Sequence, residues 1–252
     1  MAFDKTRFGG VVAPIVNPCG EDDSLDRGAL EANLTRLLAT DVAGLYINGG
    51  TGDAANLTQD ERLETAALLV PRLLAAGKLA IVHVGQTNQR QAVELARQAA
   101  ALGAHAVASI PPKKPWPQIV EYYKALAAAG APVIVYYIPG VTGMTAGMPE
   151  LRMLLDIPGV AGIKMSDWNI FLLRSVVLEY PEKVVYSGFD EMLVPGLLYG
   201  ADGCIGTWAN LLPDLYAKVY ARVRAGGTDA VKPVMDEFTA FLAVGWNYGI
   251  ID

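Results

Sequence analysis

The chain has 252 residues, of which 52% are hydrophobic and 18% charged. This composition excludes a disordered chain, which needs low hydrophobicity and high charge, and no apolar run is long enough to predict a membrane-spanning helix. A net charge of −6 disfavours nucleic acid as a partner, because a phosphate backbone needs a basic face. The first residues lack a secretion signal and two cysteines cannot form a disulfide framework, so we expect a soluble cytoplasmic protein.

Short runs rich in β-branched and aromatic residues recur along the chain and are predicted to be strands. They are almost continuously apolar, as expected of strands buried on both faces. The Ala- and Leu-rich segments between them carry apolar residues at helical spacing. In chain order, the predicted strands are 8–16, 43–49, 79–85, 106–112, 133–139, 160–166, 183–189 and 202–208. The predicted helices include 26–39, 59–76, 89–102, 117–129 and 169–179, with two more near 210–225 and 229–244.

Eight strands that alternate with helices predict an α/β fold, the (β/α)8 TIM barrel. The main alternative is a doubly wound open sheet, which usually carries a Gly-rich phosphate or dinucleotide loop after its first strand. The sequence NPCGEDD at that place fits neither loop and favours the closed barrel. We assign residues 1–225 to the barrel and residues 226–252 to the start of a short C-terminal helical extension.

Lys164 is the first candidate for chemistry. The active site of such a barrel lies at the C-terminal ends of the strands. Of nine lysines, only Lys164 lies inside an apolar strand near that end. Desolvation there disfavours the charged ammonium form, and a neutral amine attacks carbonyls to form a Schiff base. The alternative is a buried ion pair with a carboxylate such as Asp190.

Two tyrosines, Tyr136 and Tyr137, end the fifth predicted strand, beside the strand of Lys164. Neighbouring strands lie about 4.8 Å apart, so a phenol here can reach Lys164 and act as a general acid or base. Successive residues point to opposite faces, so only one of the two faces the mouth of the barrel. Core packing with a bonded hydroxyl is the alternative for either residue.

Three loops at the same end carry further candidates. The glycines of 48–53 allow backbone N–H groups to converge on an anion, although a simple tight turn is the alternative. Polar residues within 187–191 and 203–207 suit a hydroxylated substrate, although acidic residues at helix starts also serve as caps.

Several chemistries are disfavoured. His83 and His105 lack zinc-ligand spacing, so we predict no metal site. The sequence contains no G-x-S-x-G nucleophile elbow of the kind that serine hydrolases carry. Cys204 lies in a predicted strand and is a core residue rather than a nucleophile.

The segments GLYINGGTGD, HVG, VYYIPGVTG, GIKMSD, SGFDEM and GADGCIGTWAN follow one another on successive predicted strands. Together they resemble the dihydrodipicolinate synthase / N-acetylneuraminate lyase superfamily of pyruvate-dependent class I aldolases. The resemblance runs from about residue 8 to about residue 245. It is nearer to the N-acetylneuraminate lyase branch, because Pro115 and Trp116, the Lys-x-Ser-Asp run and SGFDEM look like that branch.

The resemblance implies a role for each matching residue. Lys164 would form the Schiff base with the 2-keto acid, and Tyr136 would be the proton shuttle. The loop around Thr51 would bind the keto-acid carboxylate, although Gly50 lacks the hydroxyl that the family has there. The further residues that match substrate-contacting positions are Ser166, Gly188, Asp190, Glu191, Gly206 and Thr207.

Two departures separate the branches. Dihydrodipicolinate synthases have a second tyrosine after strand four and an arginine after strand five, and here Lys113 and Val141 stand in those places. Valine cannot replace an arginine fork as a carboxylate partner, so that activity is disfavoured. The chain also ends earlier than family members usually do, so it is either truncated or naturally short.

The resemblance therefore implies a lyase that cleaves a 2-keto-3-deoxy sugar acid, such as N-acetylneuraminate, to pyruvate and an aldehyde. It implies no cofactor, because the covalent imine is the electron sink, and a homo-oligomer, either tetramer or dimer. The small-molecule 2-keto acid and aldehyde are the expected partners, with no nucleic acid and no membrane. Alternatives are a sugar-acid dehydratase, a dihydrodipicolinate synthase, or an inactive barrel that acts as a binding protein.

Overall fold

Eight parallel strands pair in chain order and close into a barrel in the computed structural model, which describes residues 3–226 and 228–247. The final strand pairs with the first, so the sheet has no edge. The predicted (β/α)8 fold is confirmed. The strands are β1 Gly10–Pro14, β2 Gly44–Ile47, β3 Leu79–His83, β4 Ala106–Ser109, β5 Val133–Tyr137, β6 Val160–Met165, β7 Val184–Ser187 and β8 Gly203–Cys204.

Helices follow the strands around the outside of the barrel. Several begin at a side-chain cap; Thr58, for example, forms a reciprocal capping box with Glu61 at the start of α2. The helices are α1 Arg27–Leu38, α2 Gln59–Ala75, α3 Gln89–Ala101, α4 Trp116–Ala127, α5 Pro139–Thr142, α6 Met148–Leu155, α7 Ile170–Glu179, α8 Leu193–Leu198, α9 Pro213–Arg224 and α10 Thr228–Asn247. None of the described helices is long and apolar enough to span a bilayer.

The predicted strands were too long at their C-terminal ends. The eighth was predicted over 202–208, whereas β8 ends at Cys204 and Thr207 begins a short 3-10 helix, Thr207–Asn210. Apolar residues such as Ile205 continue into the loop because they are buried there, 1% exposed. Burial alone therefore does not mark where a strand ends, and the extra residues form the loops that surround the mouth of the barrel.

Alternate residues of each strand face two separate cores. One core lies inside the barrel and includes Val12, Ile81, Ala108 and Ile134, with Phe8 packed against them. The other lies between the sheet and the helices. This alternation fixes which side chains enter the barrel, so a register change in one strand alters what faces the mouth.

A bulge in β6 sets the register of the two central residues. Val133 pairs with Val160, but the next pair along is Ile134 with Gly162, so β6 has one extra residue at that point. The shift places Tyr136 opposite Lys164. Without the extra residue, Tyr136 would pair with Ile163 instead of Lys164, and the side chain of Ile163 packs in the outer core.

Candidate active site

Lys164 lies inside the barrel near the C-terminal end of β6 and is 5% exposed. Its Nζ is 4.0 Å from the ring centroid of Tyr136 and 5.0 Å from that of Tyr46. No carboxylate of the described residues forms an ion pair with it. The alternative of a buried ion pair with Asp190 is therefore wrong, and the amine lies among aromatic rings.

Of the two tyrosines at the end of β5, Tyr136 faces the interior and Tyr137 packs into the outer core. The Tyr137 hydroxyl accepts a hydrogen bond from the backbone N–H of Ala146, 3.0 Å away, which fixes it on the outside. Ser166 Oγ lies 3.4 Å from the Tyr136 hydroxyl. A phenol, a hydroxyl and an amine thus lie together at the mouth, where a positioned phenol can act as a general acid or base.

The cavity above Lys164 has a volume of about 340 Å³ and opens at the C-terminal end of the barrel. It holds both predicted catalytic residues, Lys164 and Tyr136. The predicted substrate-binding residues that line it are Gly50, Thr51, Ser166, Gly188, Asp190, Glu191 and Thr207. The structure thus brings together nine of the ten predicted residues, and the exception is Gly206.

The loop after β2 forms one wall of this cavity. Asn48 has the left-handed backbone conformation, with φ of 58°, and turns the chain sharply. The backbone N–H groups of Gly50 and Thr51 donate no hydrogen bond to the described residues, and Thr51 Oγ1 lies 2.8 Å from Thr207 Oγ1. Two free donors and a hydroxyl pair at one wall suit a carboxylate.

Asp190 is a buried carboxylate held by neighbouring groups. It is 6% exposed; Tyr216 donates its hydroxyl proton to Oδ1, and the backbone N–H of Thr207 donates to Oδ2 over 3.1 Å. No helix-capping bond is formed by Asp190 at the start of α8, so the capping alternative is wrong for this residue. Burial raises the pKa of Asp190 to about 6, and the hydrogen bond from Tyr216 offsets part of this rise.

This shift predicts a pH-dependent stability. Because the pKa of Asp190 is higher in the fold than its usual 3.8, the fold favours the protonated form, and stability is lost as pH rises through about 6. The full loss amounts to about 3 kcal/mol of unfolding free energy. We expect the unfolding free energy of the wild type to fall by that amount relative to Asp190→Asn between pH 3 and pH 7. Parallel urea unfolding curves measure it, and equal pH dependence of the two proteins would contradict it.

Two of the predicted glycines make room for other groups. A Cβ at Gly188 would lie 2.2 Å from Ser166 Oγ and 3.0 Å from Lys164 Cε. A Cβ at Gly206 would lie 2.1 Å from Asp190 Oδ1. Gly206 is not among the residues that line the cavity, so its effect on the site passes through the Asp190 carboxylate.

Sequence reasoning missed the aromatic residues around the mouth. Trp168 and Phe189 pack together with ring centroids 5.0 Å apart, and Trp168 is 59% exposed. Trp246 of α10 also lines the cavity and donates its Nε1–H to Glu191 over 2.8 Å. Tyr46 lies deeper, beside Lys164. Trp168 directly follows the GIKMSD segment in the sequence, and this position was the signal that could have identified part of the rim.

His83, set aside as a metal ligand, is a neutral structural residue. Its Nδ1 is 3.0 Å from the carbonyl oxygen of Asn48, and its Nε2 accepts the backbone N–H of Ile110 over 3.2 Å. The proton is therefore on Nδ1. Burial, together with the charges of Arg62 and Lys164, lowers the pKa of His83 to about 3. Among the residues with described positions, no three His, Cys, Asp or Glu side chains form a group that could hold a metal ion.

The sequence profile of the dihydrodipicolinate synthetase family matches residues 7–242. The chain belongs to this family. An N-acetylneuraminate lyase from Rhizobium meliloti is 34% identical over 223 residues, covering 86% of this chain and 73% of that protein. These relatives identify the chain as a lyase-type enzyme of the family.

Two solved structures are similar to the whole barrel. CdNal from Clostridium difficile, in complex with mannosamine, superposes with a TM-score of 0.92 at 23% identity and covers 96% of this chain and 84% of its own; at that identity it shows the fold alone. A prophage protein of the dihydrodipicolinic acid synthase family from E. coli K12, in complex with pyruvate, gives 0.87 at 25% identity, over 96% of this chain and 83% of its own.

Proposed function

We propose that this family member is a class I aldolase that cleaves a 2-keto-3-deoxy sugar acid, such as N-acetylneuraminate, into pyruvate and an aldehyde. The observation that carries the proposal is Lys164, a buried lysine at the mouth of the barrel that lies against the Tyr136 ring and forms no ion pair with a carboxylate of the described residues. Burial of an amine without a counter-ion is costly, and a covalent role with a carbonyl substrate accounts for it.

The mechanism begins at the C2 carbonyl of the substrate. Lys164 Nζ attacks this carbon, and Tyr136 gives its phenol proton to the departing hydroxide, which leaves as water and gives an iminium ion and a Tyr136 phenolate. The C3–C4 bond then breaks, its electron pair moves toward the iminium nitrogen, and the C4 hydroxyl loses its proton as the aldehyde forms. Tyr136 accepts that proton and passes it to C3 of the resulting enamine. Hydrolysis of the iminium releases pyruvate and restores the Lys164 amine, so no resident cofactor is required.

The walls of the cavity supply the binding groups. The substrate carboxylate would accept hydrogen bonds from the backbone N–H groups of Gly50 and Thr51, which have no other acceptor among the described residues. Glu191, which already accepts the Trp246 N–H, has acceptor capacity left for a sugar hydroxyl. The ring faces of Trp168 and Phe189 can pack against the apolar side of the sugar chain.

The test is a substrate panel with two readouts. The enzyme is incubated with N-acetylneuraminate and with other 2-keto-3-deoxy sugar acids, and both pyruvate and the released aldehyde are quantified. The proposal predicts the two products in equal amounts. A dehydrated keto acid without aldehyde would indicate the dehydratase, and turnover only with pyruvate and aspartate semialdehyde would indicate dihydrodipicolinate synthase activity. Turnover of none of these would favour the inactive barrel.

The contact between Trp246 and Glu191 yields a prediction on substrate affinity. Trp246→Phe keeps an aromatic ring but removes the N–H that positions Glu191. We expect KM for the sugar acid to rise by about three- to tenfold, the equivalent of one hydrogen bond, with kcat almost unchanged. Steady-state kinetics check this. Trp116→Phe is the matched control, because Trp116 does not line this cavity and the donor to Glu191 is Trp246. A drop in kcat with constant KM would contradict the positioning role.

The homo-oligomeric state stays a prediction.

A further inference from the structure

Tyr216 is a buried tyrosine of α9 whose hydroxyl reaches a residue of the Lys164 cavity. It lies in the first turn of the helix, within the core between the sheet and the helices, and is 0% exposed. Its ring packs edge-on against Phe238 of α10, with the ring centroids 4.9 Å apart. Tyr216 is not among the residues that line the cavity, so it can act on a bound molecule only through another residue.

That other residue is Asp190, which does line the cavity. The Tyr216 hydroxyl donates its proton to Oδ1 of this carboxylate. Gly206 leaves room for the contact, because a Cβ there would overlap Oδ1 and lie 3.1 Å from Cε1 of the Tyr216 ring. Above its pKa of about 6 the carboxylate is ionised, and a hydrogen bond to an ionised group is about twice as strong as a neutral one. The phenol therefore fixes the carboxylate from outside the cavity.

The second oxygen of Asp190 holds Thr207. Oδ2 accepts the backbone N–H of Thr207 over 3.1 Å, at the start of the 3-10 helix. The first N–H groups of a helix have no acceptor within the helix, so Asp190 supplies one. The carbonyl oxygen of Thr207 accepts the side-chain amide of Asn210, which also donates to the carbonyl oxygen of Pro14. The backbone of Thr207 is thus held at both of its polar groups, and one of these contacts leads to Tyr216.

The side chain of Thr207 connects this arrangement to the loop after β2. Its Oγ1 lies 2.8 Å from Oγ1 of Thr51, and both residues line the cavity. Two hydroxyls joined by one hydrogen bond have two protons, of which only one is used between them. The second proton can be donated to a substrate. A carboxylate at this wall would then accept hydrogen bonds from that hydroxyl and from the backbone N–H groups of Gly50 and Thr51.

We propose that Tyr216 is a positioning residue for the carboxylate of the keto acid and acts through Asp190 and Thr207 on the Thr51 hydroxyl. The inference rests on the proposed Schiff-base chemistry of Lys164, but not on the identity of the sugar acid, because pyruvate carries the same carboxylate. Without the phenol, Asp190 can move, Thr207 loses a fixed acceptor, and the two hydroxyls no longer face the carboxylate in one orientation.

The experiment measures how tightly pyruvate binds as its imine. Each protein is incubated with rising concentrations of pyruvate above pH 7, reduced with borohydride and digested, and the modified fraction of the Lys164 peptide gives an apparent Kd. We expect Tyr216→Phe to raise this Kd about five- to tenfold, with the modified fraction at saturating pyruvate unchanged. Pyruvate has no sugar hydroxyls, so loss of a contact between Asp190 and a sugar hydroxyl cannot produce this result.

Tyr180→Phe is the matched control. The Tyr180 hydroxyl also donates to an aspartate, Asp156, over 2.7 Å, and the two residues lie at the C-terminal ends of α7 and α6, outside the cavity. The substitution therefore removes the same kind of hydrogen bond at a place without a path to Thr51. We expect it to leave the Kd of pyruvate unchanged, and equal effects of the two substitutions would overturn the inference.

A double-mutant cycle tests the path from Tyr216 to the loop. The hydroxyls of Tyr216 and Thr51 bond to different partners, Asp190 and Thr207. Substitutions that act independently should therefore multiply in their effects on Kd. We expect Tyr216→Phe to raise the Kd by less than about twofold in a Thr51→Val background, because the hydroxyl that it positions is already gone. The same rise with and without the Thr51 hydroxyl would overturn the inference.

Melting temperatures show which variants are folded. If Tyr216→Phe does not fold, Asp190→Asn takes its place, because its amide replaces one of the two accepting oxygens by an NH2 group and should raise the Kd at least as much. An unchanged Kd in the folded variant would overturn the inference, whereas the wild-type adduct would still support Schiff-base chemistry. A folded wild type without an adduct on Lys164 would overturn both the inference and the proposed function.

Discussion

Replacement of Lys164 by arginine is expected to reduce the rate of 2-keto acid cleavage by on the order of 10³-fold or more. An arginine side chain keeps the positive charge at this position, but its guanidinium does not deprotonate in proteins and cannot form the imine. Loss of a covalent nucleophile removes the step on which all later steps depend, and in other enzymes it costs up to about 10⁶-fold in kcat. The measurement is kcat with the best sugar acid of the panel.

The control separates loss of chemistry from loss of fold. The Lys164 side chain makes no ion pair with the described residues and faces an open cavity, so its replacement leaves no carboxylate unpaired. We therefore expect Lys164→Arg to unfold at a urea concentration close to that of the wild type. Retention of more than a tenth of wild-type kcat by a folded variant would show that Lys164 is not the nucleophile.

Gly188→Ala is expected to lower kcat/KM by about 10²-fold, the typical cost of misplacing a reacting group by about 1 Å. The added Cβ would lie 2.2 Å from Ser166 Oγ and 3.0 Å from Lys164 Cε, so both side chains must move. The other near atom is the backbone nitrogen of Ser166, also at 3.0 Å, which cannot rotate away. Displacing Lys164 separates its amine from the Tyr136 ring and from the substrate carbon.

Gly140→Ala is the matched control for this substitution. Gly140 is exposed on α5, and a Cβ there would have no neighbour within 4 Å. The same added methyl group should therefore leave kcat/KM within about twofold of the wild type. Steady-state kinetics of the two variants test the argument, and a Gly188→Ala enzyme as active as Gly140→Ala would contradict the steric account.

The barrel could be predicted because its signals are local and repeated. Strands buried on both faces give apolar runs, the intervening helices give a regular spacing, and together they leave few topologies. The same reasoning located Lys164, because a lysine inside such a run stands out. The short helices α5 and α8 gave no periodic signal: α5 has four residues, and α8 has six, including Pro195 and Gly196.

The rest of the site depends on long-range contacts that the sequence does not record. The bulge that pairs Tyr136 with Lys164 is one extra residue in an apolar strand; Gly162 stands beside it, but a glycine in a strand can equally mark a close approach of another strand, as Gly162 makes to Val184. Asp190 is held by Tyr216, which is 26 residues away, and Glu191 by Trp246, which is 55 residues away. Side chains that act through distant partners become visible only when the chain is folded.

The most direct test of the account is to trap pyruvate on the protein. The chain is incubated with pyruvate, reduced with borohydride and digested, and the peptide that contains Lys164 is examined by mass spectrometry. We expect a reduced pyruvate adduct on Lys164 in the wild type and no adduct in Lys164→Arg. A folded wild-type protein without an adduct, or with the adduct on another lysine, would contradict the assignment of Lys164 as the Schiff-base residue.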